Sequence, residues 1–279
     1  MARNFAVVTD STADLPDAWR ERYGVEIVPL KVLFGQETFR DRVDITDEEF
    51  FRRLAASTTL PTTSAPSPGE FAGVYQRLAK DYAGCISIHI GAQLSATAEA
   101  ARVGASSVDG FKVNVIDSQT VSMPIAFLCR VAAECPTLEE ATAAVERRIP
   151  KTRVLALLDT LRYLEMGGRL SRAQAMIGTM LDLKPLLLVA PPDKEIKPVD
   201  RVRTRARAIP RMVDYFKSDM PVEHMAVMHA QAPDEAQRIV DEIKPELERA
   251  GVAIVTGQIG AVLGTHVGPK ALGFAYLKR

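Results

Sequence analysis

An alternation repeated through the first half of the chain limits the fold most. Apolar runs too short to be helices are each followed by a segment that opens like a helix. Phe5-Ala6-Val7-Val8-Thr9 runs into the polar cluster Asp10-Ser11-Thr12-Ala13-Asp14, and Pro16 then suits the first turn of a helix carrying Trp19. Val25 to Phe34, rich in Val, Ile and Leu, reads as the next strand. Thr46-Asp47-Glu48-Glu49 places Thr three residues before Glu, the capping-box spacing, and opens a helix. Cys85 to Ile90 is a strand ending in Gly91-Ala92-Gln93-Leu94-Ser95-Ala96-Thr97, with Ser95 where an N-cap would sit before an Ala-rich helix. Val113 to Ile116 ends at Asp117-Ser118, a further helix follows, and Thr137 to Glu140 open one more. Strands alternating with helices predict a parallel α/β sheet. Ligands of such sheets collect beyond the carboxyl ends of the strands, which is where Asp10, Ser95 and Asp117 fall.

From Arg153 the pattern changes. Val154 to Leu158 reads as a strand, and Thr160 to Arg169 as a short helix closed by Gly167-Gly168. Ser171 to Leu183 reads as a helix with Met176, Ile177, Met180 and Leu181 on one face, more in keeping with core than with a ligand wall. Leu186 to Val189 and Glu195 to Arg203 read as paired strands joined through Pro191-Pro192-Asp193. Arg201, Arg203, Arg205 and Arg207 alternate, so in a strand they share one face, either a solvated edge or a docking face for an acidic partner or phosphate. Met225 to His229 and Val252 to Val255 are further strands, with an amphipathic helix between. The chain is therefore expected to be α/β with two domains: residues 1–150 built on a parallel sheet, residues 151–279 on a mixed one.

Two stretches carry the features of an anion site. Pro61-Thr62-Thr63-Ser64-Ala65-Pro66 is a hydroxyl-rich, proline-stiffened loop. It leads into Ser67-Pro68-Gly69-Glu70, a capping box with Pro at the first helical position. Helix N-termini carry unpaired N–H groups and partial positive charge. Near the C-terminus, Gly260-Ala261-Val262-Leu263-Gly264-Thr265-His266-Val267-Gly268-Pro269 places a hydroxyl beside an imidazole among three glycines. Its plainest reading is a tight turn with one incidental histidine.

Several classes are set aside. Lys+Arg and Asp+Glu number 35 each, so zero net charge argues against a general polyanion binder. Cys85, Cys129 and Cys135 show no CxxC spacing and suit reduced thiols in a cytoplasm. No signal peptide is expected, and apolar runs such as Leu186 to Ala190 fall far short of the roughly 20 residues a bilayer span needs, so no stable membrane insertion is expected. GxGxxG, GxxxxGK[ST] and GxSxG are missing, and His89, His224, His229 and His266 lack the HxxxH spacing of a zinc site.

Taken together, DSTADLP at Asp10–Pro16, TSAPSPGEF at Thr63–Phe71, DS at Asp117–Ser118, YLEMGGR at Tyr163–Arg169, LKPLL at Leu183–Leu187 and GTHVGP at Gly264–Pro269 resemble the DegV family, in order over nearly the whole chain. The resemblance implies a two-domain lipid carrier that holds a long-chain fatty acid between its domains, with no catalytic residue or other cofactor of its own. Some members serve as the fatty-acid-binding subunit of a bacterial fatty acid kinase in phospholipid metabolism, whose separate catalytic subunit makes the acyl-phosphate. Carried over, it implies that Thr63 and Ser95 donate hydroxyl hydrogen bonds to the carboxylate, with Ser64, Ala96 and Thr265 beside them. His266 would act directly or through a further hydrogen bond, and Arg169 near the phosphate or kinase contact. Arg201, Arg203 and Arg205 become candidates for docking the kinase. Ala96 and Lys270 stand where many members have Gly, and Ala65 where many have Gln. Two other readings are weighed against this one. A hydrolase or acyl transferase would use Ser95, His266 as base and Asp10 or Asp117 as orienter. A nucleic-acid regulator would bind through Arg201 to Arg207.

Overall fold

The computed structural model describes residues 3–169, 183–193 and 195–279. The expected helix at Ser171–Leu183, with its Met176, Ile177, Met180 and Leu181 stripe, lies outside the described residues apart from Leu183. The first half contributes, in chain order, β1 (Phe5–Asp10), α1 (Asp17–Tyr23), β2 (Val25–Val28), β3 (Lys31–Phe34), β4 (Glu37–Arg40), α2 (Asp47–Ala56), β5 (Thr62–Ser64), α3 (Pro68–Leu78), β6 (Gly84–His89), α4 (Thr97–Ala105), β7 (Lys112–Asp117), α5 (Met123–Ala133) and α6 (Leu138–Arg148). The second half contributes β8 (Thr152–Leu157), α7 (Arg162–Met166), β9 (Lys184–Val189), β10 (Lys197–Val202), α8 (Arg205–Ser218), β11 (Val222–His229), α9 (Pro233–Arg249), β12 (Ile254–Gln258), α10 (Ala261–Val267) and β13 (Leu272–Lys278).

The expected parallel sheet forms in the order β2-β1-β6-β7, with Val7 opposite Val25 on one side and Ile86 on the other. Helices cover both of its faces, which is why β1 and β6 are buried along their whole length. The expected single strand from Val25 to Phe34 is two. It breaks at Pro29-Leu30, where the Leu30 N–H donates to Ser11 Oγ at 3.1 Å. β2 stays in the parallel sheet, while β3 leaves it for a small antiparallel sheet, β4-β3-β5. That sheet turns Thr62–Ser64, expected as loop, into a strand paired with Lys31–Leu33. Among the expected caps, Ser67–Glu70 closes completely, with Glu70 N–H donating to Ser67 Oγ and Ser67 N–H to Glu70 Oε2. At Thr46 only the hydroxyl half forms, because the Glu49 carboxylate pairs with Arg52 and Arg53 instead.

The second sheet is mixed, in the order β10-β9-β8-β13-β11-β12, with only β11 and β12 parallel. Its near-central strand β13 has no counterpart among the expected elements. Leu272–Leu277 is buried on both faces, so polar residues do not alternate along it to mark it as a strand. Leu272, Phe274 and Tyr276 pack outward among side chains such as Met212 and Phe216 of α8 and Ile239 and Ile243 of α9, and Ala275 and Leu277 pack inward. Between the two sheets lies α5, apolar except for Arg130 in its last turn, in contact with β1 and β6 on one side and β8 and β13 on the other. The inner faces of both sheets thereby share one core, and the space beside α5 holds the cavity described next.

Candidate functional site

The strand ends of the first sheet and the inner face of the second enclose an apolar cavity with about 1030 Å³ of empty space, open solvent at its mouth included. Ala156, Gly273 and Ala275 form part of its floor on the second sheet, and their small size leaves the room. Ile90, Leu94 and Val121 approach from the first sheet's loops.

One end of the cavity is polar. Thr63 Oγ1 lies 2.9 Å from His266 Nε2, and Ser95 Oγ lies 2.8 Å from Thr97 Oγ1. The Arg169 guanidinium donates to Leu94 O at 3.3 Å and Gly167 O at 2.5 Å, which ties the loop of Ser95 to the turn after α7. Thr63, Ser95, Arg169 and His266 all line the cavity. Thr63, Arg169 and His266 also line a second, outward depression with Pro61, Tyr163 and Met166. The three polar side chains thus form a wall shared by the apolar chamber and a second pocket, which reaches the exposed Thr62 and Met166.

The Gly-rich stretch that brings His266 here is not a turn. Ala261–Val267 is α10, and Gly268 ends it at φ +72, where a Cβ would fall 2.2 Å from the Tyr163 ring. Gly167 opens the slot for the imidazole: a Cβ there would stand 2.3 Å from His266 Nδ1. Burial first, and then the Arg169 charge, push the His266 pKa down to about 4, so the ring is neutral at physiological pH. Its Nδ1 is buried and has no hydrogen-bond partner among the described residues. An unprotonated Nδ1 tolerates that better than an N–H, which assigns the proton to Nε2 and directs it at Thr63 Oγ1.

Other sequence candidates fall elsewhere. Ser64 is exposed and alternates away from Thr63 along β5. Ala96, not Ser95, is the N-cap of α4; it is exposed and offers no side-chain cap. Thr265 is buried and its hydroxyl donates back to Ala261 O at 2.9 Å within α10. Asp117 accepts from Ala92 and Gln119 N–H groups. Asp10 binds His89, Thr12 and Ile90, so among the described residues no acid pairs with His266 and no triad assembles on Ser95. The arginine stripe breaks because β10 ends at Val202 and α8 begins at Arg205. Arg205 is spent on Glu235, with contacts at 3.1 and 2.6 Å, and on Lys270 O, while Arg203 and Arg207 are exposed.

Sequence reasoning missed Thr97, whose hydroxyl backs Ser95, and an acidic clamp on α10. Gly260 N–H donates to Asp14 Oδ1 at 3.0 Å and Ala261 N–H to Asp41 Oδ1 at 3.3 Å, placing two carboxyl groups at the helix N-terminus. Arg42 links Asp14, Asp47 and Gln258 O around them. Burial is the main cause that raises Asp41 from 3.8 to about 7. Between those values the folded chain holds a proton that the unfolded chain has released, so stability falls as pH rises from about 4 to about 7, then levels. Asp41→Asn keeps the shape of the protonated acid and should remove most of that fall, roughly 2–4 kcal/mol at about 1.4 kcal/mol per pH unit. Urea unfolding of both proteins at the two ends of this range checks it, and curves that stay parallel refute it.

Comparison with known proteins bears on this geometry. The family model described as "Uncharacterised protein, DegV family" matches residues 4–279. Protein DegV of Bacillus subtilis (strain 168) is 35% identical over 282 residues, covering 98% of this chain and 99% of that one. Among solved structures, the chain is similar to DegV of Bacillus subtilis, described as a fatty acid binding protein, with TM-score 0.90 at 34% identity over 99% of this chain and 100% of that one. It is also similar to a DegV family protein from Thermus thermophilus, whose structure is described as one of fatty acid binding, with TM-score 0.87 at 30% identity over 99% and 100% of the two chains.

Proposed function

The chain belongs to the DegV family, and on that premise we propose that it carries a long-chain fatty acid, with the carboxylate at Thr63 and Ser95 and the acyl chain in the apolar cavity. The observation that carries this reading is the pairing behind the two hydroxyls. His266 Nε2–H is directed at Thr63 Oγ1, and Ser95 Oγ lies 2.8 Å from Thr97 Oγ1, a hydroxyl pair in which either oxygen can donate. Thr63 is supplied from behind and keeps its own proton for the ligand, and Ser95 does the same once a bound carboxylate draws its proton and Thr97 takes the donor role. A carboxylate in an apolar cleft needs such donors, because an unpaired buried charge is very costly. The Arg169 guanidinium at the same wall favours the anion further, without a direct buried ion pair. The chain adds about 0.8 kcal/mol for each CH₂ it buries.

In this reading residues 1–150 supply the hydroxyl loops, and residues 151–279 supply the imidazole and the guanidinium. The wall formed by Thr63, Arg169 and His266 supports presentation to a partner, because it borders both the cavity and the surface depression. A carboxylate held there stays reachable from outside. The partner implied by the family resemblance is a separate kinase subunit in the cytoplasm; there the carboxylate oxygen attacks the terminal phosphorus of a nucleoside triphosphate held by that subunit, the bond to the nucleoside diphosphate breaks, and acyl-phosphate and nucleoside diphosphate result. Arg169 is placed to offset the added phosphoryl charge. The carrier supplies no nucleophile of its own, and the hydrolase alternative loses support because His266 faces Thr63 instead of Ser95. Exposed Arg203 is the better candidate for kinase docking, since Arg205 is engaged within the fold.

Native mass spectrometry of the freshly purified protein, with extraction of whatever is bound, tests the proposal. A fatty acid in roughly one-to-one ratio is expected. An apo mass that stays apo after incubation with several fatty acids rejects it.

A further inference from the structure

Met228 lies on β11 with glycine opposite it on both sides, Gly257 across β12 and Gly273 across β13. It is 3% exposed and packs on the inner face of the sheet. Gly273 lines the apolar cavity. Gly257 lines a different, more polar cavity, walled in part by Asp14, Arg42 and Asp47, and Met228 lines both. The thioether is therefore the partition between two chambers. Its position within that partition is defined. A Cβ at Gly257 would stand 3.2 Å from Met228 Cε and 3.5 Å from Sδ. A Cβ at Gly273 would meet only Met228 Cβ at 3.8 Å and its carbonyl O at 3.9 Å. The side chain leans over Gly257 and leaves Gly273 bare on the acyl side.

Met228 is also remote from the head group. His266 sits near the C-terminal end of α10, whereas the strand end after Met228 meets the residue two before that helix, with Ile259 N–H donating to His229 O at 2.8 Å. The helix between them spans about 10 Å at 1.5 Å per residue. Methionine is unbranched and adapts to irregular gaps. A glycine on either side presents no side chain to fix it in place.

We infer that Met228 is the stopper that sets the length of acyl chain the cavity accepts, an inference that rests on the fatty-acid reading above. Over Gly257 the thioether leaves the cavity at full extent, and over Gly273 it shortens the cavity. Removing it joins the two chambers.

The test loads wild type, Met228→Ala and Gly257→Val with an equimolar series of saturated fatty acids from roughly 12 to roughly 24 carbons and reads bound species by native mass spectrometry. Met228→Ala should move the preferred length up by about two carbons or more, a roughly tenfold gain for the longer acids. Gly257→Val takes the space of the Met228 methyl group and pushes it over Gly273, so the preferred length should fall. Thermal melts establish that each variant is folded. Unshifted profiles in folded variants overturn the stopper and leave the fatty-acid reading standing, whereas a wild type that takes up no fatty acid overturns both. If Met228→Ala does not fold, Gly257→Val decides alone: a shorter preference supports the stopper, and an unchanged or longer one overturns it.

Discussion

Replacing Thr63 by Val and Ser95 by Ala together is expected to weaken fatty-acid binding by roughly two to four orders of magnitude. The estimate follows from two hydrogen bonds to a charged group, each worth about 1.5–3 kcal/mol, lost where little water can replace them. Both changes leave the surrounding shape nearly intact. Thr63→Val is close to isosteric, and Ser95 is only half-buried, so Ser95→Ala opens no large void. His266→Ala acts one step further back. It removes the donor behind Thr63, after which the Thr63 hydroxyl has lost the partner that keeps its own proton free for the ligand. The effect of that single change should be smaller, about tenfold. Displacement of a fluorescent fatty acid measures all three. A parallel titration with the fatty acid methyl ester separates head group from chain, because the ester makes the same apolar contacts without the charge. The double variant should lose affinity for the acid far more than for the ester. Acid binding within about threefold of wild type, on folded protein, would remove Thr63 and Ser95 from the head-group site.

Parts of this arrangement were legible in the sequence, and the division follows physical range. The parallel sheet was readable because each apolar run stands beside a local signal, such as the complete capping box at Ser67–Glu70. Thr63, Ser95 and His266 were indicated by motif resemblance, not by any spacing between them, since 203 residues separate Thr63 from His266. What closes that distance is long-range: β5 pairing with β3, and α10 packing near it. Neither has a local signature. Thr97 was overlooked because a helix-opening threonine beside a serine looks like ordinary capping, and only the fold turns the serine toward a cavity. The arginine stripe failed for the opposite reason. Alternation along a strand was inferred through Arg207, but the strand stops at Val202, and after it a helical period sets which side each arginine faces. Asp10 shows a third kind of limit. Its place at a strand end was read correctly as a position where sites form, yet its neighbours make it structural.

Asp10→Ala should destabilise the fold by about 3–5 kcal/mol, a large share of the roughly 5–15 kcal/mol that holds a typical domain together. Asp10 is fully buried. Oδ1 accepts from Thr12 N–H at 3.0 Å and Thr12 Oγ1–H at 2.5 Å. Oδ2 accepts from Ile90 N–H at 3.0 Å and lies 3.0 Å from His89 Nδ1. Behind the imidazole, His89 Nε2 lies 2.7 Å from Ser87 Oγ, which lies 2.8 Å from the Tyr75 hydroxyl. Truncation to Ala strands two backbone N–H groups, a hydroxyl and an imidazole where no water competes, and each unsatisfied group costs about 1–3 kcal/mol. Asp10→Asn keeps the volume but sets an amide NH₂ against groups that are themselves donors, so it should cost less than Ala and still about 2 kcal/mol. The sequence Ser87, His89, Asp10 has the composition of a hydrolase triad, which gives the prediction a second edge. All three side chains are fully buried, and none lines the apolar cavity. A catalytic role would appear as lost turnover at unchanged stability; a structural hub appears as lost stability, with affinity per folded molecule falling less than about tenfold. Urea unfolding of wild type, Asp10→Asn and Asp10→Ala, paired with fatty-acid titration of each, decides between them. Stability of Asp10→Ala within about 0.5 kcal/mol of wild type would mean that the network around β1 and β6 is not what fixes the Ile90–Ser95 loop over the cavity.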